Sequence, residues 1–193
     1  MSVLIIYAHP NPKSLTHAVL ESLIKGLESV KTPYEVIDLY AIGFNPVLRV
    51  DETHRRRDMI HDAETQPFRD AILRADHVVH VYPLWWDGFP AILKGFIDRV
   101  YAAGFAYSFQ GKRQGAILPH RLLKGKAASF FYTLDGPHPL AWFILSWFGA
   151  KYAIFWYCGF GPIRRHYFTS VKRSNPERRA RWLKQVETMA KKL

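Results

Sequence analysis

Short apolar runs that alternate with segments of helical periodicity constrain the fold of this chain more than any other feature. Strands of a parallel sheet are buried on both faces and therefore form near-continuous apolar runs. Such runs occur at residues 3–8, 34–39, 77–82, 126–132 and 154–158. Their alternation with helices predicts an α/β fold: a doubly wound, five-stranded parallel sheet in the order 2-1-3-4-5, with helices on both faces.

The segments between these runs have the spacing and end residues of helices. Ser14 precedes apolar residues at helical spacing, which predicts a helix start just after the first strand. Helices are also predicted at 51–64, 68–73, 91–103 and 140–150, and a closing helix runs from Asn175 to Leu193. Residues 140–160 approach the length of a membrane span, but Gly149, Lys151 and the strand-like second half favour a helix, a turn and a strand.

Positive charge is concentrated at the end of the chain. The formal net charge is +11, and residues 164–193 contain ten Lys and Arg against two Glu. A basic chain suggests a nucleic acid or an acidic surface as partner. No recognised nucleic-acid motif accompanies the charge, so a solvated helix face is favoured and no nucleic-acid partner is expected.

Cysteine use and the first residues favour a cytoplasmic location. Cys158 is the single cysteine, so the chain cannot form an internal disulfide, and no Cys and His cluster has zinc-like spacing. We therefore expect no metal site. Met1-Ser2 leads directly into the first strand, so the mature chain is expected to start there without a signal segment.

The stretch Pro83-Leu84-Trp85-Trp86-Asp87-Gly88-Phe89-Pro90 follows the third strand and precedes a helix. In an open α/β sheet, ligands bind outside the carboxyl ends of the strands. Two adjacent tryptophans placed there could form a wall for a flat ligand. They could equally fill the core as an aromatic corner.

Three loops follow the first, third and fourth strands, at residues 9–16, 83–88 and 133–138. In the predicted topology they lie at one edge of the sheet and can surround one ligand. The first loop contains neither the dinucleotide-binding glycine pattern nor a P-loop. It offers hydroxyls and backbone N–H groups at a helix start, which can hold a phosphate. His9 there is either a structural histidine or part of that site.

These loops carry a resemblance to a known family. Several segments are similar to those of the flavin-dependent NAD(P)H:quinone oxidoreductases, the DT-diaphorase-like branch of flavodoxin-like proteins. They are Tyr7-Ala8-His9-Pro10 followed by Ser14-Leu15-Thr16, then Pro83-Leu84-Trp85-Trp86, Pro90-Ala91-Ile92-Leu93-Lys94-Gly95 and Phe105-Ala106-Tyr107. Two shorter segments, Phe44-Asn45-Pro46 and Tyr157-Cys158-Gly159-Phe160, also resemble family segments and occur in the same order along the chain. The resemblance spans nearly the full chain, and its middle segment is the most specific.

The resemblance implies one flavodoxin-like, flavin-binding domain over residues 1–193. It implies a homodimer with active sites at the interface, FAD or FMN as cofactor, and NAD(P)H as co-substrate. Hydride would pass by a ping-pong mechanism to quinones or related two-electron acceptors. The implied cofactor-binding residues are His9, Ser14, Leu15, Thr16, Pro83, Leu84, Trp85, Trp86, Asp87, Thr133, Leu134, Asp135 and Gly136. Tyr107 and Phe109 would come from the partner subunit and close the substrate pocket.

The chain also departs from the family pattern. Asp135 replaces a glycine, and the tyrosine expected after the fourth-strand loop is missing. His138, at a different spacing, is the candidate catalytic acid, and an ordinary loop histidine is the alternative. Asp87 stands where an aromatic residue is usual, which suggests an altered substrate preference.

Two other functions are compatible with the sequence. Relatives of this family serve as ancillary regulatory flavoprotein subunits of potassium-efflux transporters, and the basic closing helix could contact such a partner or the membrane surface. A one-electron flavodoxin carrier is disfavoured because such carriers are usually acidic.

Overall fold

A five-stranded parallel sheet forms the centre of the computed structural model, which describes residues 1–53, 55–136 and 145–193. In chain order the strands are β1 (Val3–Tyr7), β2 (Tyr34–Asp38), β3 (His77–Pro83), β4 (Tyr107–Ser108), β5 (His120–Arg121), β6 (Ala127–Thr133) and β7 (Ile163–Phe168). The main sheet has the order β2-β1-β3-β6-β7 with parallel neighbours, and β4 and β5 form a separate antiparallel pair. The predicted fold class and strand order are confirmed.

Helices cover both faces of this sheet. They are α1 (Leu15–Ser29), α2 (Gln66–Arg74), α3 (Ala91–Val100), α4 (Leu145–Phe148), which continues as a π-helix (Gly149–Trp156), and α5 (Pro176–Ala190). Alternate residues of β1 and β3 point to opposite faces, so the sheet has two cores. α1 and α5 pack over Ile5 and Val79, and α2, α3 and the π-helix pack over Ile6 and Val78.

The predicted fifth strand at 154–158 is wrong. These residues are helical throughout, and β7 at Ile163–Phe168 occupies the sheet edge instead. Residues 154–158 contain a single β-branched side chain, and their aromatic residues divide between a buried Phe155 and an exposed Trp156, as on a helix. An edge strand tolerates charged side chains. The charged run Arg164-Arg165-His166 therefore interrupts the apolar pattern by which strands were predicted, and β7 was missed.

The predicted helix at 51–64 is replaced by a shorter 3-10 helix, Arg56–His61. Aspartate side chains bond the backbone of this segment locally: Asp51 accepts from the Thr53 N–H at 2.8 Å, and Asp58 accepts from the Arg55 N–H at 2.9 Å. Such local bonds compete with regular helix formation. The segment is held to α3 by Arg99, which pairs with Asp62 at 2.7 Å.

Gly95 explains why two motifs of the resemblance occur together. A Cβ atom added at Gly95 on α3 would overlap the carbonyl oxygen and Cβ of Pro46. Arg99, one turn further along α3, donates to the Asn45 carbonyl at 2.7 Å. The Asn45-Pro46 segment therefore rests directly on α3, and only glycine permits this approach.

We expect Gly95→Ala to lower the free energy of unfolding by about 2 kcal/mol, because the overlap exceeds the gain in helix propensity. Gly149→Ala is the matched control, since a Cβ there meets no atom within 4 Å. Urea denaturation of both variants measures the difference. Equal stability of the two variants would contradict the proposed contact.

Among the described residues, no helix combines the length and apolar character needed to cross a bilayer. The part of the 140–160 segment that lies within them comprises the short α4, the π-helix and the four residues that follow.

Candidate functional site

The predicted loops lie side by side because backbone hydrogen bonds join the carboxyl ends of adjacent strands. The Ala8 N–H donates to the Val81 carbonyl at 2.9 Å, and the Leu84 N–H donates to the Thr133 carbonyl at 2.8 Å. Pro83 is the buried last residue of β3 and Thr133 the last of β6. The loops after β1, β3 and β6 therefore share one edge, as the topology predicts.

The first loop ends at the N-terminus of α1. Ser14 is the helix N-cap, and its hydroxyl accepts from the His17 N–H at 3.1 Å. The N–H groups of Leu15 and Thr16 lie in the first turn, where no helix carbonyl can accept from them. Neither N–H has a hydrogen-bond acceptor among the described residues. Two backbone donors at the positive end of the helix dipole suit an anion such as phosphate.

A buried hydroxyl pair joins this helix start to the fourth-strand loop. Thr16 Oγ1 and Thr133 Oγ1 lie 2.8 Å apart, and both side chains are buried. The predicted residues of the first and last loops are thereby brought into direct contact. A displacement of either loop would break this bond.

His9 is half-buried beside the third-strand loop. Its ring centroid lies 6.0 Å from that of Trp85. Its Nδ1 accepts from the Asn11 N–H at 3.0 Å, so the neutral ring carries its proton on Nε2. Burial lowers the pKa of His9 below the ordinary histidine value. His9 at neutral pH is therefore an uncharged donor at the edge of the site.

The third-strand loop is a tight hairpin that directs Trp86 away from the protein. Trp85 and Gly88 exchange backbone hydrogen bonds of 3.2 and 2.9 Å. Between them Trp86 and Asp87 have φ of 49° and 55°, the left-handed values of a type I′ turn. Trp86 is fully exposed and Trp85 is 44% exposed. The core-filling interpretation is thus wrong for Trp86, and Phe89 takes that role by packing on Tyr82 at 5.1 Å.

The fourth-strand loop is tied to the segment after β7. The Leu134 N–H donates to the Phe168 carbonyl at 2.9 Å. Asp135 accepts from the Lys172 N–H at 2.8 Å and pairs with the Lys172 ammonium at 3.2 Å. The residue that departs from the family glycine thus has a structural partner. Gly136 accepts from the Ser170 N–H, and His138 lies outside the described residues.

Tyr107 and Phe109 do not join this cluster. Tyr107 lies on β4, and its ring packs on Phe109 at 6.4 Å and on Tyr157 at 5.2 Å. No ring contact in the described part of the chain connects either residue to the three loops. Within one chain, the predicted pocket residues and cofactor loops are separate surfaces.

Sequence reasoning assigned no role to Tyr7 or His17, which lie under the first loop. Their rings pack edge to face with centroids 5.6 Å apart. Burial raises the pKa of Tyr7 to about 12, so its hydroxyl remains protonated at neutral pH. His17 Nδ1 is buried and has no hydrogen-bond partner among the described residues. The position of Tyr7 at the carboxyl end of β1 was the sequence feature that could have identified it.

The family model described as a flavodoxin-like fold matches residues 1–193. An uncharacterized NAD(P)H oxidoreductase of Haemophilus influenzae is 40% identical over 69% of this chain, and the match spans 64% of its own length, less than two thirds. NAD(P)H dehydrogenase (quinone) 1 of Rattus norvegicus is 30% identical over 96% of this chain and 76% of its length. The crystal structure of Smu.1420 from Streptococcus mutans UA159 is 35% identical, covers both chains fully and superposes with a TM-score of 0.92.

Proposed function

The chain belongs to the flavodoxin-like family that includes NAD(P)H dehydrogenase (quinone) 1, and we propose that it is an NAD(P)H-dependent flavin oxidoreductase. Residues 1–193 would act as a single flavin-binding domain. The substrates would be NAD(P)H and a quinone or related two-electron acceptor. The observation that carries this proposal is the set of free backbone donors at the shared edge of the three loops.

The donors of this edge fit the two polar ends of a flavin nucleotide. The N–H groups of Leu15 and Thr16 suit its phosphate. The N–H groups of Trp86, Asp135 and Gly136 have no acceptor among the described residues, and they suit the ring's pyrimidine edge. When bound, the flavin would supply the capacity to accept hydride from NAD(P)H and deliver it to the acceptor. The backbone donors would favour the negative charge that accompanies its reduction.

Aromatic side chains would provide the stacking surface. Trp85 and Trp86 follow β3 and remain largely exposed, although exposure of two adjacent tryptophans is unfavourable in water. A flat ligand would cover them and exclude water from the reacting face. NAD(P)H and the acceptor would then occupy the same position on the bound flavin in turn, which would give a ping-pong order.

A second subunit would complete each site. Phe148, Tyr152 and Trp156 form an exposed aromatic stripe at four-residue spacing on the α4 and π-helix segment. Tyr157 follows this stripe directly, and its ring contacts the ring of Tyr107. Exposed large aromatic residues are typical of subunit interfaces. We therefore propose a homodimer in which Tyr107 and Phe109 of one subunit close the pocket over the other subunit's loops.

Mixing two impaired variants tests this shared site. Trp86→Ala damages a subunit's own loops, and Tyr107→Ala damages the pocket that it gives to its partner. A heterodimer of the two would contain one intact site, so about a quarter of the sites in an equal mixture refolded together would be intact, and the mixture is expected to be more active than either variant alone. Turnover of NADH with a soluble quinone measures this. Each variant refolded alone is the control, and a mixture no more active than its components would contradict the shared site.

His138 is our proposed proton donor for the acceptor. A general acid near the reacting oxygen must hold its proton at working pH, which a histidine can do. In His138→Gln, the decline of turnover at alkaline pH should disappear. An unchanged pH profile would assign His138 to an ordinary loop role.

The visible spectrum of the purified protein tests the function as a whole. We expect a yellow protein whose released cofactor has the mass of FMN or FAD, and NAD(P)H oxidation that requires added quinone. A colourless protein that gains no colour when incubated with either flavin would exclude the proposal.

A further inference from the structure

The outer face of α5 is a basic surface that the proposed oxidoreductase activity does not use. Residues 176–193, which are α5 and the three residues after it, contain six Lys and Arg against two Glu. Val186 and Ala190 of α5 are buried, whereas Arg181 and Lys184 on the helix and Lys192, two residues beyond its end, are exposed. The helix thus has one face bound to the core and one face of concentrated positive charge.

The cations on this face are not neutralised within the protein. In the part of the chain that the structure describes, no carboxylate pairs with Arg181, Lys184 or Lys192. The neighbouring Glu187 is already held by Lys25 and Lys191, each at 3.3 Å. These three cations are therefore available to a partner.

A shallow groove of about 520 Å³ runs between them. Its lining is Arg181, Lys184, Gln185, Thr188, Met189 and Lys192. The groove combines cationic ends, the aliphatic stems of two lysines and the apolar Met189. Long basic side chains that cover apolar surface in this way suit a ligand with an anionic head and an apolar body.

We propose that this face binds the surface of a membrane that contains anionic phospholipids. Cations on one face of a surface helix are attracted to such a leaflet, and apolar groups between them can meet the headgroup boundary. A nucleic acid would use the cations but not Met189. The face lies across the sheet from the exposed aromatic stripe, since α1 and α5 cover one core and the π-helix covers the other. Membrane binding and the proposed subunit contact are therefore compatible.

Co-sedimentation with phosphatidylcholine vesicles, with and without phosphatidylglycerol, tests the proposal on the full chain. We expect binding only when phosphatidylglycerol is present, and loss of binding at about 1 M salt, where the Debye length falls to about 3 Å. Each neutralised cation should weaken binding about fivefold, so Arg181→Gln/Lys184→Gln/Lys192→Gln should weaken it about a hundredfold.

The matched control removes the same charge from another exposed surface, in Lys112→Gln/Arg113→Gln/Lys124→Gln. It should retain wild-type binding, as should Arg181→Lys. Equal losses in the two triple variants would show that net charge alone acts, and would overturn the proposal. It would also be overturned if wild-type protein ignores phosphatidylglycerol, or if duplex DNA at equal phosphate concentration displaces it from the vesicles.

Discussion

Replacing Trp86 by glycine is expected to stabilise the protein while it weakens flavin retention and hydride transfer. Trp86 has φ 49° and is fully exposed, so its side chain contributes little packing to its own chain. A non-glycine residue in the left-handed region costs about 1 kcal/mol, and glycine removes that cost. The free energy of unfolding should therefore rise by about 1 kcal/mol.

The activity should change in the opposite direction. Stacking of a base on an aromatic side chain contributes about 1–3 kcal/mol, and we expect a flavin ring to gain a similar amount from Trp86. Trp86→Gly should then weaken flavin affinity or turnover by roughly five- to a hundredfold. Flavin titration, stopped-flow reduction by NADPH and urea denaturation measure the two effects separately.

Two further variants sharpen this test. Trp86→Phe keeps an aromatic face and should retain most of the activity. Leu73→Ala removes another exposed apolar side chain, on α2, and should alter neither property. If Trp86→Gly keeps full flavin affinity and turnover, the tryptophan is not part of the cofactor site.

Acidification from pH 7 to pH 5 is expected to destabilise the fold by about 4 kcal/mol through two buried histidines of β3. Burial lowers the pKa of His77 to about 4 and that of His80 to about 3, and positive charge on Arg164 adds to the effect at His77. In the unfolded chain both titrate near their ordinary value of about 6.5. Below that pH the unfolded state binds protons that the folded state excludes. Above pH 6.5 both histidines are neutral in the folded and the unfolded state, so they do not affect the free energy of unfolding. As the pH drops below 6.5, the free energy of unfolding falls.

Urea denaturation at several pH values measures how the free energy of unfolding depends on pH. The slope of this dependence should approach about 1.4 kcal/mol per pH unit for each histidine. His80→Phe removes one titrating group and keeps an aromatic ring against Phe130, whose centroid lies 4.8 Å away. The slope of the variant should be smaller by about 1.4 kcal/mol per pH unit. His120→Gln, at an exposed position, should keep it. Equal slopes for the wild type and His80→Phe would show that His80 does not contribute to the acid destabilisation.

The sequence was most informative where burial controls the pattern. The runs of β1, β3 and β6 are apolar because both of their faces are covered, so their ends, and with them the three loops, could be placed in advance. The family assignment made from the loop motifs is confirmed by the matches. β7 was missed because an edge strand needs no continuous apolar run.

The details of the site depended on contacts that no local pattern encodes. Aspartate tolerates the left-handed region but tryptophan does not favour it, so the outward turn at Trp86 could not be foreseen. Lys172 meets Asp135 across 37 positions of sequence. The Thr16 and Thr133 hydroxyls are separated by 117 positions and meet only because α1 and β6 converge.

The hairpin at Trp85–Gly88 closes on itself through its own two backbone bonds. Its central side chains, Trp86 and Asp87, are exposed and lie outside both cores. A change at Trp86 therefore carries little penalty for folding, while it alters the surface presented at the edge of the sheet. Evolution can therefore vary this one exposed position, and one scaffold can acquire new ligand preferences without a change in its interior.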